Sequence, residues 1–150
     1  MNRVNVKNEL PLGGYCLEDQ IGFLLRRAHQ FASAIFQENI APVAFTPQQF
    51  ASLVKIGELG EVSQNELGRL IGMDPATTQG VVSRMVERAY VSRVSDTRDK
   101  RRLRLCLTEE GRIVVIEAIA AGRKITRKTL SNLDAGEREN LVSLLRKLAP

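Results

Sequence analysis

The sequence predicts a mainly α fold of the α+β kind, and three observations predict it. Ser63 and Asp74-Pro75 each open a short helix, one soon after the other. Downstream, Leu103, Leu105 and Leu107 alternate with polar residues behind a charged turn, as a half-buried strand does. On both sides of this stretch apolar residues recur at three- and four-residue steps, as on amphipathic helices. Two short helices followed by a two-stranded ribbon form a winged helix-turn-helix. The flanking helices then serve as N- and C-terminal dimerisation helices. The expected layout is one intertwined domain: an arm and dimerisation helix over 1–44, the winged lobe over 45–108, and dimerisation helices over 109–150.

Hydrophobic residues make up 43% of the 150, enough for a core and too many for a disordered chain. The net charge of +5 and the pI of about 9.6 suggest an anionic partner, of which nucleic acid is the commonest. The charge gathers between Arg98 and Arg104. Cys16 and Cys106 lie far apart, without metal-ligand spacing, and read as reduced thiols. No apolar run reaches membrane-spanning length, and the N-terminus lacks a signal-peptide core. The expected location is the cytoplasm. The chain has no phosphate loop, zinc spacing or nucleophile elbow, and a single histidine, so no enzyme is expected and no cofactor.

In chain order, residues 1–16 read as a loose arm with Pro11, Gly13 and Gly14. A long helix is expected from Leu17 to Asn39, burying a stripe of Ile21, Leu24, Leu25, Ala28, Ala32, Ile35 and Phe36. Thr46-Pro47-Gln48-Gln49 is a capping box with proline at the first helical position. Its helix turns Phe50, Leu53 and Val54 inward and ends near Gly57 or Gly60. Ser63 and Glu66 form a second box, and that helix buries Leu67, Leu70 and Ile71 before the turn at Gly72-Met73.

Asp74 caps the third short helix. Thr78, Val82, Met85, Val86 and Ala89 share its inner face, while Ala76, Thr77, Gly80, Ser83 and Arg84 share the other. That outer face is small and polar, which lets a backbone approach base edges in a major groove. Tyr90–Val94 and Leu103–Leu107 are the strands, the three leucines facing the core, and Ser95–Arg101 is the turn. Thr108 caps a helix running to about Leu130 with Ile113, Val114, Ile116, Ala120 and Ile125, and Glu109 and Glu110 complement its dipole. Asp134 and Glu137 box the last helix, whose stripe is Leu141, Leu144, Leu145 and Leu148.

The run Asp96-x-Arg98-Asp99-x-Arg101, with Leu105-x-Leu107-Thr108-Glu109-x-Gly111 after it, resembles the wing of the MarR family of bacterial transcriptional regulators. Phe45-Thr46-Pro47-Gln48-Gln49-Phe50 resembles the same family's second helix, and the helix order matches over nearly the whole chain. The resemblance implies a homodimer that binds palindromic double-stranded DNA operators and mostly represses. It also implies release by a small aromatic acid, of hydroxylated benzoate or nicotinate type, in a pocket between the dimerisation helices and the DNA-binding lobe. Some members instead sense oxidants through a cysteine. In the peroxide sensors that cysteine sits where this chain has Ile21-Gly22-Phe23, and Cys16 falls one and a half turns earlier.

Ala76, Thr77, Gln79, Gly80, Ser83 and Arg84 are the expected major-groove residues. The Arg84 fork matches the two acceptors of guanine; a phosphate contact, or pairing with Glu87, is the plainer role. Arg98 and Arg101 are the wing candidates for a minor groove, with Asp96 and Asp99 holding their guanidiniums. Lys100, Arg102 and Arg104 are expected to attract phosphates; a merely solvated hairpin is the alternative. For the effector, the candidates are His29 with its neighbour Arg27, Arg93 (which matches a salicylate-contacting position of some family members), and Phe45, Phe50 and Tyr15 as lining. A histidine satisfied locally, and aromatics that are simply core, are the plainer readings. Two other functions stay open: a thiol-based oxidant sensor and an architectural DNA-binding protein.

Overall fold

The computed structural model describes residues 13–40, 44–97, 99 and 101–149. Most of the expected arm, together with Arg98 and Lys100, lies outside them. Six α-helices and a three-stranded antiparallel sheet follow in the order α1 Ile21–Asn39, α2 Pro47–Leu59, β1 Glu61–Val62, α3 Gln64–Ile71, α4 Pro75–Glu87, β2 Val91–Ser95, β3 Leu103–Leu107, α5 Glu109–Thr129 and α6 Ala135–Leu148. The core is built by α2, α3, α4, the sheet and one face of α5, joined by Phe36 and Ile40 at the end of α1 and by Phe45, with Leu53, Ile56, Leu67, Val82, Met85, Val91 and Leu105 sealed from solvent.

The helix starts lie where local chemistry puts them. Thr46 accepts from the Gln49 amide while the Gln49 side chain accepts from the Thr46 amide, and Asp134 and Glu137 repeat the box. Asp74 accepts from the Thr77 amide at 2.8 Å and from the Thr77 hydroxyl at 2.6 Å. These bonds hold its carboxyl below the usual aspartate value, the Thr77 side chain contributing most. α2 stops at Gly60 (φ 76°), and α3 stops at Gly72, whose φ of 68° and ψ of 35° are left-handed.

Several expectations are corrected. The long first helix begins at Ile21, because Gln20 is extended and its side chain accepts from the Phe23 amide; Leu17–Asp19 is a separate 3-10 turn. Ser63 caps α3, but Glu66 does not return the bond; its carboxylate lies 3.9 Å from Arg104 instead. The ribbon has a third strand, since Glu61 and Val62 pair with Cys106 and Leu105. β2 begins at Val91, one residue later than expected, and runs opposite β3 from Val91↔Leu107 to Ser95↔Leu103.

Burial departs further. Leu70 and Leu103 are exposed, and in α5 the buried line is Gly111, Val115, Ala118 and Ile125, leaving Ile113, Ile116 and Ala120 outside. In α1, Ile21, Leu24, Leu25 and Ala28 are exposed and Phe36 is buried. Leu144, Leu145 and Leu148 of α6 are exposed, and that helix buries no residue. Periodicity identified these stripes as apolar; within one chain nothing covers them.

The base of the wing is its tightest joint. Thr108 accepts from the Gly111 amide, donates its hydroxyl to the Ala89 carbonyl at 2.6 Å, and donates its amide to the Tyr90 carbonyl at 3.1 Å. A Cβ on Gly111 would collide with the Tyr90 carbonyl. Gly111→Ala is therefore expected to lower the unfolding free energy by about 1–3 kcal/mol, the usual cost of overpacking. The urea midpoint, at equal protein concentration for both proteins, checks this; an unchanged midpoint would show that the joint has slack.

Asp74 makes a pH prediction. Its folded pKa is depressed, so the stabilisation is complete above the unfolded value of about 3.9 and is lost as pH falls through the lower folded value. Asp74→Ala is expected to melt below the wild type at neutral pH, and the gap should close in acid. A gap that stays constant across thermal melts on both sides of that pH would contradict the cap's role.

Candidate nucleic-acid interface

α3 and α4 pack at close range because Gly68 has no side chain. A Cβ there would stand 2.6 Å from the Thr78 hydroxyl oxygen and 3.2 Å from the Met73 carbonyl oxygen. Thr78 is buried and donates to the Asp74 carbonyl, so its hydroxyl is satisfied inside the helix pair. With Thr78, Val81, Val82 and Met85 turned inward, Ala76, Thr77, Gln79, Gly80 and Arg84 are exposed and Ser83 is half-buried. The six residues expected to face a groove thus share one outer surface. Beyond its chain neighbours and its own helix backbone, no described atom lies within 4 Å of where a Cβ on Gly80 would be, so the surface there is open. Arg84 makes no ion pair among the described residues, and the expected alternative partner Glu87 is not engaged with it.

The wing carries its charge in a definite pattern. Arg101 is 94% exposed, its Nε 3.4 Å from Asp99, and its amide donates to the same carboxylate. Asp99 also receives Arg102 at 3.5 Å. Asp96 pairs with Arg104 at 3.5 Å, and Arg104 reaches Glu66 of α3 as well. The acidic residues do hold guanidiniums: Asp99 takes Arg101, as expected, and Arg102 besides, and among the described residues Asp96 takes Arg104. Arg104 is tied down between hairpin and α3, which fits it poorly for the phosphate attraction expected of it. Arg98 and Lys100 lie outside the described residues.

Sequence reasoning missed three residues beside this surface. Gln64, Asn65 and Arg69 of α3 line the clefts that run toward Pro75 and Thr78 on one side and toward Leu103 on the other. The signal was present in the geometry of such motifs, where the first helix crosses the backbone. An α3 of eight residues puts Asn65 and Arg69 one turn apart on the side away from buried Leu67.

The effector candidates do not meet within one chain. Tyr15 is exposed. His29 is exposed, with Nε2 3.5 Å from the Ser33 hydroxyl. Arg27 lies over the Phe23 ring. Phe45 is buried edge-on against Tyr90, with Arg88 above both rings. Arg93 is exposed on β2. Phe50 lines a cavity, an open one of about 470 Å³ between α2 and α5 that it shares with Val54, Ile119, Gly122, Arg123 and Arg127. The two arginines were not foreseen.

Among the described residues no cluster of metal-ligating side chains occurs, and no helix is long and apolar enough to cross a membrane. Cys16 is exposed and Cys106 half-buried against Ser92, both as free thiols.

Residues 45–103 match the family model described as the MarR family. The chain is 34% identical to the HTH-type transcriptional repressor NicR of Pseudomonas putida over 150 residues, covering 99% of this chain and 95% of that protein. It superposes with a TM-score of 0.85 on a probable transcriptional regulator from Pseudomonas aeruginosa, at 44% identity over 89% of this chain and 99% of that one. It does so equally, at 35% identity over 90% and 96%, on Bordetella bronchiseptica BpsR, from a structure concerned with regulation of its DNA binding by 6-hydroxynicotinic acid. The winged lobe with its small, polar α4 surface, together with these likenesses along nearly the full length, shows that the chain belongs to the MarR family of DNA-binding transcriptional regulators and is not an enzyme.

Proposed function

We propose that the chain is a cytoplasmic, homodimeric repressor that occupies a pseudo-palindromic operator and leaves it when a small hydroxylated aromatic acid binds. The observation that carries this reading is the outer surface of α4. Five small or polar residues and the Arg84 fork share that surface, and Arg101 of the wing is exposed as well. A helix so shaped enters a major groove while the wing arginine reaches the neighbouring minor groove. The exposed apolar faces of α1, α5 and α6 support pairing with a second chain, since a monomer rarely leaves so many large apolar side chains in water. Similarity to NicR supports repression, and similarity to BpsR, from a structure concerned with regulation by 6-hydroxynicotinic acid, supports a pyridine carboxylate as the effector. We place it against Phe50 in the α2–α5 cavity, where Arg123 and Arg127 supply cations for a carboxylate and Val54 and Ile119 an apolar wall.

Fluorescence anisotropy on the chain's own upstream DNA tests this reading, against a scrambled duplex of equal length, with and without 6-hydroxynicotinate and related acids. A preference of at least about a hundredfold is expected, lost with one of the acids. Equal affinity for both duplexes would sink the repressor and leave an architectural protein. Specific binding that no acid disturbs would remove the effector and turn attention to Cys16 and oxidants. Within the same assay, Arg101→Ala is expected to weaken operator binding about tenfold while the dimer remains intact by analytical ultracentrifugation. Unchanged affinity would take the wing arginine out of the interface.

A further inference from the structure

Gln64 occupies the first position of α3, where Ser63 already supplies the cap, so the helix does not need its side chain. That side chain is nevertheless engaged. Its Nε2 donates to Oε1 of Gln79 at 2.6 Å, across the turn to the exposed face of α4. Gln79 in turn donates from Nε2 to the Ser83 hydroxyl one turn further on, at 3.4 Å. A glutamine amide holds two lone pairs on its oxygen and two N–H groups on its nitrogen. After both bonds Gln79 keeps one lone pair and one N–H, on a side chain that points to solvent. Adenine in a major groove presents an acceptor, N7, beside a donor, the N6 amino group, and glutamine reads it through one of each.

An unrestrained glutamine amide rotates broadly about its last torsion and so exchanges donor and acceptor. Gln64 removes that freedom by holding the oxygen toward α3, and Ser83 holds the nitrogen toward the helix C-terminus. We infer that Gln64 is a positioning residue for base recognition: it fixes the Gln79 amide in the one orientation that reads an adenine in each operator half-site. The inference rests on the operator-binding reading above. A pair that served only to weld α3 to α4 would affect stability, or binding to every duplex alike, and would leave base preference untouched.

The test uses the full chain and Gln64→Ala, Gln79→Ala and the double variant. Each protein selects from a pool of random-sequence duplexes, the bound DNA is sequenced, and affinities are measured on the preferred duplex and on one with 7-deazaadenine at the position concerned. Thermal melts confirm that each variant is folded, and alanine suits the first position of a helix. The wild type is expected to prefer A·T at one position per half-site. Both single variants should relax that preference there by roughly tenfold, the worth of one bidentate pair. The double variant should be no worse than Gln79→Ala, since the two act as a unit. Loss of the adenine N7 should weaken the wild type and leave Gln79→Ala unaffected, and binding to scrambled DNA should stay the same in all four. Gln64→Ala with base preference intact, a loss spread evenly over positions, or one that adds to that of Gln79→Ala would each overturn the inference while leaving the repressor standing. A wild type with no base preference would overturn both.

Discussion

The structure depends on one joint, the contact of Thr108 and Gly111 with Ala89 and Tyr90. Ala89 follows α4 with a φ of 57°, a left-handed conformation that costs a side-chain-bearing residue about 1–2 kcal/mol. The Thr108 hydroxyl holds its carbonyl, and the Thr108 amide holds the next one. The same threonine caps α5. One residue therefore fixes the end of α4, the root of both long wing strands and the start of the longest helix. Gly111 lets α5 come down onto the Tyr90 carbonyl; with any side chain there, α5 would have to lift away. The angle between α5 and the outer surface of α4 is set here, by hydrogen bonds and by the absence of one carbon atom.

What the sequence made legible divides along the range of the interaction. Caps and turns are decided within four residues, so Thr46, Ser63, Asp74, Thr108 and Asp134 were all readable as helix starts. The Ser63 box was only half right because Glu66 has a distant competitor, Arg104, brought near by the β3 register. β1 was unreadable because two residues carry no period. In the wing the sign pattern showed that acids would hold guanidiniums, but hairpin register decides which, and that is not a local property. Gln64 escaped notice for the same reason, its partner being fifteen residues away in the next helix. The shared outer face of the six α4 residues was legible because one helical face follows from spacing alone. The α2–α5 cavity was less legible, since a pocket is made by elements meeting, and of its lining only Phe50 was singled out from the sequence.

Apolar periodicity, meanwhile, told the truth about side chains and not about what covers them. Ile21, Leu24 and Leu25 in α1, Ile116 in α5 and Leu144, Leu145 and Leu148 in α6 fall at helical spacing, yet water reaches them all. The sealed residues belong instead to α2, α3, α4, the sheet and part of α5. Burying a leucine is worth roughly 1.5–3 kcal/mol, so a chain that leaves seven such residues out forgoes a stabilisation comparable to its whole folding free energy. On the proposed reading a second copy recovers it, which makes the stability of the fold and the spacing of two DNA-reading lobes a single physical problem.

On the proposed reading the same packing constrains how an effector acts. Leu53 and Ile56 of α2 are sealed into the lobe, and on the same helix Phe50 and Val54 face the cavity toward α5. There α5 approaches so closely that a Cβ on Gly122 would stand 2.7 Å from the Phe50 ring. Close-packed interiors transmit a displacement and do not absorb it. An acid wedged between Phe50 and Arg123 would push α2 away from α5, and α2 would carry Leu53, Ile56 and everything packed on them. The lobe would turn as a block, α4 with it, about the Thr108–Gly111 joint. Operators read at two half-sites roughly 34–36 Å apart tolerate little such rotation, and a coupling of about 1–3 kcal/mol is enough to change occupancy. A rigid reader on a tight hinge is thus the arrangement in which a small ligand, far from any base, has leverage over DNA binding.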